Sequence, residues 1–306
     1  MIGRSRALLS GIGVLLALGL AALLIVILGN DPASRPPQPP TEASLSSLVT
    51  RFTAPLNAGQ DYRPPKADER KAGAQGFGSL LDAGHAVPSA LDTLGFSVRD
   101  GVDEQTGRPY TMAVNEPDTD RSWGMYLIDR SAPPSIVVEV PHPAFDLRTE
   151  LFGLAYFRQV PGAVLIIAGA HRKADDSKAD VAHEENSLFH VVATTLAARG
   201  LPQVQLHGFH DPNMPDTDIV LSAGATQAGD PARRAADRLT ADGFSVCRAW
   251  SQSCKGLEGL TNVQGRAAAQ DGTMFLHVEM SRTVREDEQR RADVVRALTE
   301  AKLTEH

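Results

Sequence analysis

The chain has 306 residues, 42% of them hydrophobic and 22% charged, with a formal net charge of −7. This length is enough for one sizeable core, and the acidic balance argues against nonspecific nucleic-acid binding. After Arg4 and Arg6 no charge occurs from Ala7 to Gly29. As a helix these 23 residues would span roughly 35 Å, enough for a bilayer core of about 30 Å. The two arginines predict a cytoplasmic N-terminus and an exported remainder. Residues 1–30 are therefore expected to form a single-pass membrane anchor. Leu28-Gly29-Asn30-Asp31-Pro32 offers no small-x-small cleavage pattern, which weighs against a removed signal peptide. Without the two arginines the chain holds 28 basic and 37 acidic residues, a formal charge of −9.

Residues 31–71 open with Asp31-Pro32-Ala33-Ser34-Arg35-Pro36-Pro37-Gln38-Pro39-Pro40 and are expected to be an extended, proline-rich linker. A short helix is expected within it, over 41–52. The folded domain is expected over 72–306. Residues 110–114 and 125–128 read as a strand pair. The β-branched run 136–140 reads as a strand covered on both faces. Helical spacing follows over 149–159, then a buried strand over 163–168. A helix over 187–199 stops at Gly200 with Pro202 beyond. Short strands are expected at 204–206 and 219–221. A helix over 231–242 starts on proline and precedes Gly243. Strands at 244–248 and 274–280 and a helix over 286–302 complete the chain. This alternation predicts a single three-layer α/β domain with a mixed, largely parallel sheet. Cys247 and Cys254 are close in sequence and outside the cytoplasm, so they are expected to form one disulfide.

Such sheets bind ligands beyond the carboxyl ends of their strands. Residues 136–140 lead to Pro141-His142-Pro143-Ala144-Phe145-Asp146 and Thr149-Glu150, and 163–168 lead to His171-Arg172. Residues 204–206 lead to His207-Gly208-Phe209-His210, and the last strand carries His277 and Glu279. Zinc favours histidine nitrogen and carboxylate oxygen, and a catalytic site leaves one position open. His142 and His207 with Asp146 or Glu150 would meet that need. Alternatively, Asp146 caps the next helix and Glu150 complements its dipole. Glu279 lies in an apolar strand, where a carboxylate needs a partner or a task. It is either paired with Arg282 or Arg285, or a general base. Arg172, with His171 beside it, and Arg266 are candidates to hold an acidic substrate group. Taken singly, each reads first as a solvated surface arginine. His210 falls in a loop rich in Asp and Pro and is expected to face solvent.

Three pieces resemble the zinc-dependent amidohydrolases of the carboxypeptidase-like superfamily, which includes N-formylglutamate amidohydrolases and poly-γ-glutamate hydrolases. They are Glu139-Val140-Pro141-His142 followed by Asp146, Gln205-Leu206-His207-Gly208, and His277-Val278-Glu279. The chain is also similar to a membrane-anchored, secreted actinobacterial branch. The resemblance implies one zinc ion on His142, Asp146 and His207, with Glu279 as catalytic base. It implies cleavage of an amide near an acidic group, in a peptide or γ-glutamyl substrate. The chain departs from the His-x-x-Glu spacing of carboxypeptidases, since Phe145 stands where the glutamate would be. The expected activity is an envelope amidohydrolase or peptidase. The competing expectation is a noncatalytic binding protein for an anionic ligand on the same scaffold.

Overall fold

The computed structural model describes residues 44–83 and 89–305. The expected anchor over 1–30 lies outside them. Among the described residues no helix is long and apolar enough to cross a membrane. Residues from Ser44 onward belong to one compact unit.

The described residues form a nine-stranded mixed sheet. Its strands are β1 (Ser97–Val102), β2 (Pro109–Asn115), β3 (Gly124–Asp129), β4 (Ile136–Val140), β5 (Ala163–Ile167), β6 (Gln203–Gly208), β7 (Ile219–Ser222), β8 (Val246–Arg248) and β9 (Phe275–Met280). Their spatial order is β1-β2-β3-β5-β4-β6-β9-β7-β8. The sheet is not largely parallel. Four of its eight neighbour pairs are antiparallel: β1/β2, β2/β3, β3/β5 and β7/β9. The parallel pairing that matters for the site is β5-β4-β6-β9, which points four carboxyl ends in one direction. Short connections explain the flank, because 116–123 between β2 and β3 suits a hairpin and is too short for a crossover helix.

Helices cover both faces. One face packs against α1 (Leu45–Thr53), α4 (Thr149–Gln159), α6 (Asp230–Ala241) and α9 (Glu288–Glu300). The other packs against α2 (Ala67–Ala83), α3 (Ser89–Thr93) and α5 (Leu188–Ala197), with α7 (Val263–Asp271) against β9 and α5. The helix expected over 286–302 is α9, and a short α8 (Arg282–Glu286) precedes it, separated at the Asp287 cap. Side chains alternate along each strand. On the first face Val138, Val140, Val204, Leu206, Val278 and Met280 form an apolar layer. On the second, Val137, Val164 and Ile166 are apolar, whereas Glu139, Gln205, His207, His277 and Glu279 make a buried polar strip.

The expected linker over 31–71 does not extend past Ser44. Leu45, Val49 and Phe52, one apolar stripe of α1, are buried in the same core as α4. Ser44 caps the helix by accepting from the Ser47 N–H at 3.1 Å. Glu104 accepts from the Leu45 N–H at 2.9 Å, and Arg158 joins Asp103 (2.6 Å), Glu104 (2.9 Å) and Ser46 (3.0 Å). Phe52→Ala is therefore expected to destabilise the fold by about 3–5 kcal/mol in denaturant unfolding. A change within error would return this segment to a spacer.

Candidate metal centre

The turn after β4 folds back on itself. The Asp146 N–H donates to the His142 carbonyl at 2.9 Å, which brings the Asp146 carboxylate beside the His142 ring. Asp146 Oδ2 lies 3.3 Å from His142 Nδ1 and 3.2 Å from His207 Nδ1. All three side chains are buried. Asp146 is not a helix cap, since Arg148 occupies that position without a side-chain bond. The Arg285 guanidinium pins this turn, donating to the carbonyls of Asp146, Leu147 (2.9 Å) and Phe209 (2.8 Å).

Asp180 supports His142 from behind. Its Oδ1 lies 2.8 Å from His142 Nε2 and 3.1 Å from His183 Nδ1, and its Oδ2 accepts from Arg172. His142 therefore has a carboxylate at each ring nitrogen, Asp180 at Nε2 and Asp146 at Nδ1. Burial disfavours the charged His142 ring, but the bonds to Asp146 and Asp180 outweigh it and raise its pKa. Burial likewise opposes ionisation of both acids, yet their bonds to His142 and to His207 or His183 hold them below the usual carboxylate range. Burial lowers the pKa of His207 and lowers that of His277 far more.

Glu279 stands opposite His207 in the β6/β9 register, and the His207 and His277 rings stack with centroids 4.5 Å apart. Glu279 is not engaged by either expected arginine. Arg282 pairs with Glu286 at 2.8 Å, and Arg285 is spent on carbonyls. Glu279 Oε2 and His277 Nδ1 are buried and have no hydrogen-bond partner among the described residues. Burial, followed by the Asp146 charge, raises the Glu279 pKa well above the carboxylate range, against the pull of Arg285 and Arg172.

These groups meet a cleft of about 420 Å³, lined by His142, Arg172, His207, His277, Glu279 and the rim 256–262. The rim follows the Cys247–Cys254 disulfide. At Gly259 (φ +62°) a Cβ would come within 2.7–2.9 Å of the His277 ring, so glycine lets the rim lie against that imidazole. A larger cavity of about 480 Å³ lies between α1 and β2–β3, lined by residues such as Leu48, Arg51, Met112 and Met125. It contains no histidine, so we place the chemistry in the smaller cleft.

Among the described residues two trios bring one ligand atom each within 4.8 Å of one another: His142, Asp146 and His207, and His207, His277 and Glu279. The first fits zinc. Ligands about 2.1 Å from a tetrahedral ion stand about 3.4 Å apart, close to the two separations at Asp146 Oδ2. Glu150, the alternative carboxylate, belongs to neither trio. Its Oε2 is buried and unpartnered in the first turn of α4. Arg172 reaches the cleft, but Arg266 is exposed and donates to the Thr261 carbonyl at 2.7 Å. His171 sits edge-on to Phe145 at 5.6 Å, and His210 is exposed as expected. Asp180, Gln205, Asn262 and Gln264 have site roles that the motifs did not show. The available signals were polar residues within an apolar strand (Gln205) and at a helix start (Asn262).

No protein-family model and no curated protein matches this chain. Among solved structures it is similar to a bacteriophage poly-gamma-glutamate hydrolase, at 13% identity and TM-score 0.42, over 58% of this chain and 86% of that one. It is also similar to a zinc-free apo form of YndL, at 14% identity and TM-score 0.39, over 60% and 91%. A third is the tripeptide-bound cell shape determinant Csd4 of Helicobacter pylori, at 11% identity and TM-score 0.37, over 56% and 50%. At this distance the functional reading rests on the side chains themselves.

Glu139, behind the centre, gives a pH signature. Burial pushes its carboxyl up to about 8, against one bond from Gln205. The folded state therefore keeps a proton that the unfolded chain loses from about 4.5 upward. Stability should fall as pH rises from about 4.5 to about 8, then level off. Glu139→Gln should flatten that slope in urea titrations across the window. An unchanged slope would mean that this carboxyl does not titrate there.

Proposed function

We propose that this protein is a metal-dependent hydrolase of an amide bond, with zinc held by His142, Asp146 and His207. The observation that carries the reading is the approach of both imidazole Nδ1 atoms to one Asp146 oxygen, beside an unpartnered Glu279 carboxyl on the same cleft. When bound, the ion would polarise the substrate carbonyl as a Lewis acid and lower the raised pKa of the nearby carboxyl.

The chain supplies the remaining functions. Asp180 and Arg285 keep the first histidine and the Asp146 turn in place. Glu279 Oε2, having no other partner, takes a proton from the attacking water and returns it to the leaving nitrogen. The rim 256–262 and His277 line the same cleft as this carboxyl. Arg172 brings positive charge to the cleft wall, which suits an acidic peptide-like or γ-glutamyl substrate. With residues 1–30 as a tether, the substrate would lie in the cell envelope.

Metal analysis of the purified full chain should find about one zinc per chain. His207→Ala should remove it. Glu279→Gln should keep it and lower amide hydrolysis by about 10²–10⁴-fold. A native chain that retains no metal after gentle purification would favour a noncatalytic binder, and full activity in Glu279→Gln would remove Glu279 from the mechanism. The tether is tested by fractionation: the full chain should sediment with membranes and a chain lacking residues 1–30 should not. Equal partition of the two would argue against an anchor.

A further inference from the structure

Gln205 stands two residues before His207 in β6, so both side chains share one face. It is completely buried, and its neighbours define which end of its amide points where. Asn262 caps α7 by accepting from the Gly265 N–H at 2.9 Å, so its oxygen is committed and its Nδ2 donates to Gln205 Oε1. Gln264 Nε2 donates to the Val181 carbonyl at 2.8 Å, so its oxygen faces Gln205 Nε2 at 3.2 Å. Gln205 Nε2 also donates to Glu139 Oε2 at 2.6 Å. An amide has one accepting and one donating end of nearly equal shape, and only its surroundings tell them apart. Here two backbone groups, the Gly265 N–H and the Val181 carbonyl, set the polarity at both ends of the network.

The consequence reaches His207. Gln205 Oε1 lies 2.7 Å from His207 Nε2, and an oxygen that only accepts requires the ring proton on that nitrogen. We propose that Asn262 and Gln264, acting through Gln205, form a positioning relay that keeps a proton on His207 Nε2 and leaves Nδ1 as the nitrogen that faces Asp146. Asp180 faces Nε2 of His142. Nδ1 of each ring then faces Asp146 Oδ2 at 3.2–3.3 Å, where a proton or a cation can bridge the pair. The purpose of the relay rests on the proposed metal, whereas the tautomer itself belongs to the metal-free protein.

The test is 15N NMR of the histidine rings in the metal-stripped full chain, at a pH above the usual histidine range, with zinc affinity measured by chelator competition. Native His207 should carry its proton on Nε2. Asn262→Asp keeps the acceptor for the Gly265 N–H but turns a second acceptor toward Gln205. The Gln205 amide should then flip, move the His207 proton to Nδ1, and weaken zinc binding by about 10–100-fold with helix content unchanged. Gln205→Leu should lose the fixed tautomer altogether. A native His207 protonated on Nδ1 overturns the proposal, as does an Asn262→Asp protein with unaltered tautomer and affinity. Should that variant fail to fold, the native spectrum still decides. An Nε2–H native ring in a chain that binds no zinc would sustain the relay and defeat the metal reading.

Discussion

A buried carboxylate between two buried imidazoles governs this structure. Asp146 Oδ2 is within 3.3 Å of both His142 Nδ1 and His207 Nδ1. A charge in such a place is costly unless its surroundings compensate it. The surroundings draw in distant parts of the chain: the strand carrying His207, Arg285 in α8, and the loop carrying Asp180, which holds His142 by its other nitrogen. Among the described residues Arg285 has no carboxylate partner, and its guanidinium donates to four backbone carbonyls around the Asp146 turn.

The topology makes this convergence geometrically simple. Parallel pairing through β5-β4-β6-β9 aligns the carboxyl ends from which His171, His142, His207 and Glu279 emerge. The antiparallel strands β1, β2 and β3 extend the sheet on one side, and β7 and β8 on the other. Strand alternation then divides the labour between faces. One face is apolar throughout the central strands and carries much of the core, so the other can hold Glu139, Gln205, His277 and Glu279. In the polar strip Gln205 and His207 are paired at both ends and Glu139 at Oε2. The exceptions, His277 Nδ1, Glu139 Oε1 and Glu279 Oε2, cluster along that strip.

Much of this was legible in the sequence, for identifiable reasons. The strand 136–140 and the helix 149–159 have the observed bounds, since β-branched runs and clear stop signals leave few alternatives. The hairpin of β2 and β3 and the disulfide were also readable. The strand β1 was not, because Ser-Val-Arg-Asp-Gly-Val is mostly exposed and carries little apolar signal. α1 was read as part of a linker because a proline-rich stretch precedes it, and burial of Phe52 depends on contacts with α4 far along the chain. In the site, proximity of His142 and Asp146 followed from their four-residue spacing. Asp180 did not, because nothing local distinguishes a histidine's partner from a turn residue. Arg266, for which the sequence left a solvated role beside a ligand-holding one, is exposed and donates to the Thr261 carbonyl.

The relay through Asn262, Gln264 and Gln205 gives the account its internal consistency, since it prepares the same His207 nitrogen that the carboxylate approaches. Both lines converge on one position for an ion. Anomalous diffraction at the zinc edge from metal-loaded crystals tests that position directly. The account predicts a single peak about 2.1 Å from His142 Nδ1, His207 Nδ1 and an Asp146 oxygen. A peak seated instead on His277 and Glu279, or none at any of these side chains, would contradict it.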